Sequence, residues 1–226
     1  MTYLGVVIPV GPEEHHARWL GECLDSMAAQ VRPPDHIVIV DDMHGLKASE
    51  TCAPVGVRSI EVWDAPWRLG VPHAFNIGLA RAFAAGCDLT LMMGADDVLS
   101  PDALSSLLAT FEHQHGRDGY YWQDVWYSTG EQQRLPCNAA AVTPGLWRQT
   151  GGFIPESAVG GCDATFVSMM LVHHPDMLFH VEGGHLWHRV HPDQETARQG
   201  GLNSARELTR DWHTANFRPP TWGRFQ

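Results

Sequence analysis

The sequence predicts an α/β protein: a mostly parallel sheet flanked by helices, with a less regular C-terminal half. Three observations carry that reading. Short β-branched runs alternate with segments of helical periodicity three times in the first half. The runs are close to apolar throughout, as strands covered by helices on both faces are. Two of them end in acidic pairs, Asp41-Asp42 and Asp96-Asp97, at the strand ends where such sheets bind their ligands.

Leu4–Val10 is the first strand, closed by the turn formers Gly11-Pro12. Glu13–Ala29 sets Trp19, Leu20, Cys23, Leu24 and Met27 at helical spacing, and Pro33-Pro34 ends that stretch. His36–Val40 is a buried strand and Ser59–Trp63 a weaker one. Pro72–Ala85 is a helix closed by Gly86, which suits the left-handed position beyond a helix end. Leu89–Met93 is the next buried strand. Ser100-Pro101-Asp102 has the chemistry of a helix start, with Ser as N-cap, Pro at the first helical position and an acid in the first turn. In the second half, Tyr120–Ser128 and Ala139–Val142 are expected strands, and Pro144–Thr150 and Asp163–His173 expected helices. Ser204–Thr214 is a last expected helix before the tail Arg218–Gln226.

The 226 residues suit one domain, and a hydrophobic share of 44% excludes a disordered chain. Fifteen Lys and Arg against 26 Asp and Glu give a net charge of −11, with no basic cluster. The usual electrostatic driver of nucleic-acid binding is therefore missing. No apolar run is long enough to span a bilayer, and the first ten residues lack the basic region and cleavage site of a secretory signal. The five cysteines, Cys23, Cys52, Cys87, Cys137 and Cys162, form no Cys-x-x-Cys pair. A reduced, cytoplasmic setting is the expectation.

Adjacent carboxylates repel unless positive charge lies between them, so Asp96-Asp97 is a candidate site for Mg²⁺ or Mn²⁺. Gly-Ala-Asp-Asp is also good turn chemistry. Asp41-Asp42 lies where carboxylates beyond a second strand accept hydrogen bonds from a nucleotide. Neither a Gly-x-Gly-x-x-Gly nor a P-loop is present, so bound phosphates would need a metal as counter-charge. His185, His188 and His191 fall within seven residues. On a strand His185 and His191 share one face and His188 takes the other, so one of them completing a carboxylate site is favoured over a local cluster. Asp163 follows a glycine pair at a helix start, where it is either an N-cap or a general base. The aromatics of 120–127 are either core or a stacking surface for a sugar.

In this combination and order, over about residues 4–191, the chain resembles glycosyltransferase family 2, the inverting enzymes of the GT-A fold. Val6-Val7-Ile8-Pro9-Val10 is similar to the family's first strand, and Cys23–Gln30 to its first helix ending in Gln. Ile37–Asp42 resembles the strand whose terminal Asp binds the base, and Asn76-Ile77-Gly78 the family's Asn-x-Gly. Gly94-Ala95-Asp96-Asp97 sits at the metal-binding Asp-x-Asp, and Gly151-Gly152-Phe153 resembles the Gly-Gly-Phe before the acceptor region. Asp163 falls at the catalytic base, and His185-Leu186-Trp187-His188 at the late His of the metal site. Three departures stand out. Gly94 replaces the first Asp of Asp-x-Asp, Phe75 replaces the Arg before the Asn, and Cys162 replaces an acid beside Asp163.

The resemblance implies transfer of one sugar from a nucleotide sugar, a UDP-sugar, to an acceptor hydroxyl, with Asp163 as base. It implies donor contacts from Pro9, Asp41, Asp42, Asn76 and Asp96, and Mn²⁺ or Mg²⁺ on Asp96, Asp97 and His185 or His188. Residues 1–115 would hold the donor, 116–200 the acceptor and catalytic side, and 201–226 a helix and tail of the same domain. Without membrane helices a processive polymer synthase is not expected. The acceptor could be a glycan, a lipid-linked sugar, a protein, a small molecule or a modified nucleic-acid base. A sugar-nucleotide nucleotidyltransferase would need a basic glycine-rich loop after the first strand, where Gly11-Pro12-Glu13-Glu14 is acidic. A degenerate GT-A binding module is the non-enzymatic alternative, disfavoured by Asp96-Asp97, Asp163 and His185.

Overall fold

Apolar side chains on successive residues of a strand need cover on both faces, and β1 (Leu4–Val10) and β2 (His36–Asp41) find it. In a computed structural model, which describes residues 1–46, 53–134, 136, 139–153 and 162–194, Val6, Ile8, Ile37 and Ile39 join the core on one side of the sheet. Val7, Val38 and Val40 join the core on the other. The first core is covered by α2 (Leu20–Ala28) and α4 (Ala103–His113), the second by α3 (Val71–Ala84), α5 (Pro144–Thr150) and α6 (Cys162–His173).

The strands β3 (Ser59–Asp64), β2, β1 and β4 (Leu89–Met92) are parallel neighbours in that order. β3, the strand with the weaker apolar pattern, is the half-buried edge of the sheet. The second half continues the same sheet. β8 (Ala140–Val142) pairs antiparallel with β4 and with β6 (Tyr120–Tyr127). An unforeseen strand, β9 (Leu178–His188), runs parallel to β6 and ends the sheet with β5 (Val98–Leu99). The short β7 (Gln132–Gln133) pairs with β6. Among the described residues no helix is long and apolar enough to cross a membrane. Cys23, Cys87 and Cys162 are buried free thiols. The expected helix Ser204–Thr214, the tail 218–226, Cys52 and Cys137 lie outside the described residues.

Two helix boundaries differ from expectation. The single helix read over Glu13–Ala29 is two, α1 (Glu14–Ala17) and α2, because Trp19 leaves helical geometry. Its ring is drawn instead between the guanidinium groups of Arg18 and Arg189, 5.0 and 4.9 Å from the ring centre, and packs on His191. Nor is Ser100 the N-cap of α4. Its hydroxyl bridges the Asp102 carboxylate and the His185 N–H, and the cap position falls to Asp102. The buried carboxamide of Gln30 serves the helix start, accepting the Leu104 N–H at 3.0 Å and donating to the Ser100 carbonyl at 2.8 Å.

Candidate active site

The carboxyl ends of β1, β2 and β4 open into a cleft of about 380 Å³. That is the size of a small-molecule site. Pro9, Asp42, Asp96, Asp97, Asp163 and His188 all line it. Five carboxylates face it, counting Asp193, and Arg68 is the single Lys or Arg among the lining residues described.

The two acids after β2 separate in role. Asp41 turns into its own loop, where its oxygens accept the N–H groups of His44, Gly45 and Leu46. It does not line the cleft, so its place in the expected donor contacts is not one the structure gives it. Asp42 does line the cleft, and it also fastens the far loop, accepting Leu69 N–H at 2.5 Å and Gly70 N–H at 2.9 Å. Asn76 likewise is not among the cleft-lining residues. Its carboxamide is bound at both ends to the backbone of Phe153, accepting the N–H and donating to the C=O, each at 2.9 Å. Two motifs read separately in the sequence are thus one joint. Gly152 at φ +87° fits because a Cβ there would meet Trp147 at 2.6 Å and the Asn76 oxygen at 2.8 Å. Gly78 fits because a Cβ would meet Val7 at 2.3 Å.

Around the acid pair, His188 and His191 are the close imidazoles. His188 Nδ1 lies 2.8 Å from Asp97 Oδ1, and His191 Nε2 lies 3.0 Å from Asp96 Oδ2. His185 does not reach them. It is three residues from His188 on a strand, so it faces the opposite side. There its ring stacks on Trp126 at 4.2 Å. His191 lies beyond the end of β9, in the turn that follows, so strand alternation does not govern it. The aromatic run divides along the strand: Tyr120 and Tyr121 are buried in the two cores on opposite faces of the sheet, while Trp126, near the strand's end, is 41% exposed.

Burial pushes the Asp97 carboxyl above its usual range, opposed by His188 and reinforced by Asp96. Burial alone would lower His188, but Asp97, then Asp96 and Asp163, hold it above its ordinary value. As a unit the pair keeps its shared proton longer than either group would in water. That influence also places the Asp163 carboxylate within electrostatic reach of His188.

Among the described residues no three His, Cys, Asp or Glu side chains converge into a metal cage. Two donors nonetheless fit one. Asp97 Oδ1 and His188 Nδ1 are buried and lie 2.8 Å apart, and no other described group hydrogen-bonds to either atom. Neighbouring ligands of a six-coordinate ion with bonds of about 2.1 Å lie about 3 Å apart. Carboxylate oxygen with imidazole nitrogen suits Mn²⁺.

Asp163 is the second residue of α6, so it sits inside the first turn rather than at the N-cap position. A negative charge there is favoured by the unsatisfied N–H groups of the helix start. Two other acids of this half offer no alternative base here: Glu156 lies outside the described residues, and Glu182 is exposed on β9. Sequence reasoning missed Arg68, His15 and His16 as cleft-lining residues. The histidine pair had a usable signal, its place just past the carboxyl end of β1, whereas a lone Arg in a loop has none.

The fold is that of the GT-A glycosyltransferases. The chain belongs to glycosyl transferase family 2, whose profile matches residues 5–164. No curated protein matches the sequence. Among solved structures it is similar to S. aureus TarS in complex with UDP-GlcNAc, at 13% identity over 97% of this chain and 68% of that one, with a TM-score of 0.67. It is similar to the mannosyltransferase PcManGT from Pyrobaculum calidifontis in complex with GDP-Man and Mn²⁺, at 17% identity over 96% and 66% of the two chains, with a TM-score of 0.66. A third likeness is GalNAc-T7 with UDP, GalNAc and Mn²⁺, at 13% identity and a TM-score of 0.63, covering 93% of this chain and 48% of that one. The chain spans 41% of a longer TarS chain.

Proposed function

We propose that the chain transfers one sugar from a nucleotide sugar, a UDP-sugar, to an acceptor hydroxyl with inversion at the anomeric carbon. The observation that supports this most is the convergence on one cleft of Asp42, the Asp96-Asp97 pair with His188, and Asp163, from four separate parts of the chain. The neighbours with UDP, UDP-GlcNAc and GDP-Man point to the same donor class.

Each residue has a separate task. Asp42 faces the cleft with lone pairs left over from its two amide bonds, enough to accept a ribose or base N–H or O–H. Asp97 and His188, with Asp96 beside them on His191, would hold Mn²⁺ or Mg²⁺; the PcManGT and GalNAc-T7 structures contain Mn²⁺. When bound, the ion supplies positive charge against the diphosphate. The Asp163 carboxylate takes the proton of the acceptor hydroxyl as its oxygen bonds to the anomeric carbon. The bond from that carbon to the nucleoside diphosphate breaks on the opposite face, and one displacement inverts the centre.

Purified protein given a panel of nucleotide sugars, read by nucleoside diphosphate release, is expected to turn over UDP-sugars. No release above background across uridine and guanosine donors overturns the reading. Asp163→Asn is expected to slow transfer by roughly 10²–10⁴-fold while UDP affinity is retained. Asn preserves the shape at the helix start, so a near wild-type rate in the folded variant removes Asp163 as the base.

A further inference from the structure

The joint between Asn76 and Phe153 connects the two sides of the cleft. On one side, Asp42 holds the Leu69-Gly70 backbone, and α3 begins at the next residue, Val71. Asn76 projects from the second turn of that helix onto a backbone 77 residues away. On the other side, the Phe153 ring is buried edge-to-face against Phe166 of α6, with ring centres 5.1 Å apart. Phe166 is three residues after Asp163, so the two share one face of the helix a turn apart. A continuous line of contacts therefore runs from the donor-side loop, along α3, through the Asn76 carboxamide and the Phe153–Phe166 ring pair, to the first turn that carries Asp163.

A clamp is needed at this place. Gly151 at φ +76° and Gly152 at φ +87° form a turn with no side chain of its own to fix it. A carboxamide matches a peptide unit in both directions, one donor and one acceptor, and fixes position and orientation together. An apolar residue at 76 would leave a Phe153 N–H and C=O unpaired inside the fold.

We propose that Asn76 is a positioning residue for catalysis: it sets the placement of Asp163 relative to the donor through Phe153 and Phe166, without touching substrate. The proposal rests on the reading of Asp163 as the base. A displacement of about 1 Å at a reacting group can cost as much as 10²-fold in rate. Asn76→Ala is therefore expected to lower kcat by between about 10- and 100-fold, with the Kd for UDP unchanged by calorimetry. Asn76→Asp keeps the acceptor for the Phe153 N–H but sets a carboxylate against its C=O, and is expected to behave alike. It also serves if the Ala variant does not fold. Gly152→Ala strikes the same joint from the other side.

A double-mutant cycle decides the role. If Asn76 acts through Asp163, Asn76→Ala placed on Asp163→Asn costs less than about twofold more in kcat. A merely structural Asn76 would give multiplying losses, and that result overturns the proposal. Weakened UDP binding in parallel with kcat also overturns it. If Asp163→Asn alone leaves the rate intact, the assignment of the base is what fails, and the two failures are told apart within one set of four proteins.

Discussion

His185 and His188 show how much one residue's direction decides. Both occupy the stretch that resembles the family's late metal-site histidine, and three positions on a strand put them on opposite sides of the sheet. Only His188 meets Asp97. In calorimetry of UDP binding with Mn²⁺, His185→Ala is expected to match the wild type. His188→Ala is expected to lose the Mn²⁺-dependent part of the affinity, at least about tenfold, since even outer partners of metal ligands matter that much. Equal behaviour of the two variants would remove His188 from the metal site. Asp41 and Asp42 teach the same lesson: neighbours in sequence, they serve a turn and a cleft wall, because successive backbone directions differ.

At the scale of elements, the close approach of α3 to the sheet is what brings Asn76 and the Leu69-Gly70 loop into place. Gly78 permits it, since a Cβ there would lie 2.3 Å from Val7 and 3.1 Å from Val40. Gly78→Ala is expected to destabilise the fold by about 1–3 kcal/mol, the usual size of overpacking, measured as a lower denaturant midpoint at unchanged slope. An unchanged midpoint would mean that α3 tolerates a shift, and that the joint with Phe153 is looser than the distances show. The break between α1 and α2 is another element-scale outcome. Helical periodicity continues across Trp19, but the gain from two guanidinium contacts and an imidazole contact on its ring outweighs one interrupted turn.

For the whole molecule, the cleft gathers five carboxylates among the described residues, within a chain of net charge −11. A ligand that brings positive charge there favours the folded state, where these carboxylates are gathered. UDP with Mn²⁺ is expected to raise Tm, by the equivalent of about 2.7 kcal/mol at a hundredfold excess over Kd, and excess chelator should abolish the Mn²⁺-dependent part of that shift. A Tm rise from UDP that chelator leaves untouched would argue against the metal. By itself the sequence determined the parallel strands and their helices, because apolar runs and periodicity are local and the helices must cover both faces. It also determined that acids stand at strand ends. It did not determine β9, whose pattern is interrupted by Gly183-Gly184, both at positive φ, and whose partners in β6 lie about sixty residues earlier. Nor did it determine that Asn-x-Gly and Gly-Gly-Phe are one joint, or that His188 rather than His185 meets the acid pair. Those facts depend on contacts between residues far apart in the chain and on which way each side chain points, and only the tertiary structure decides either.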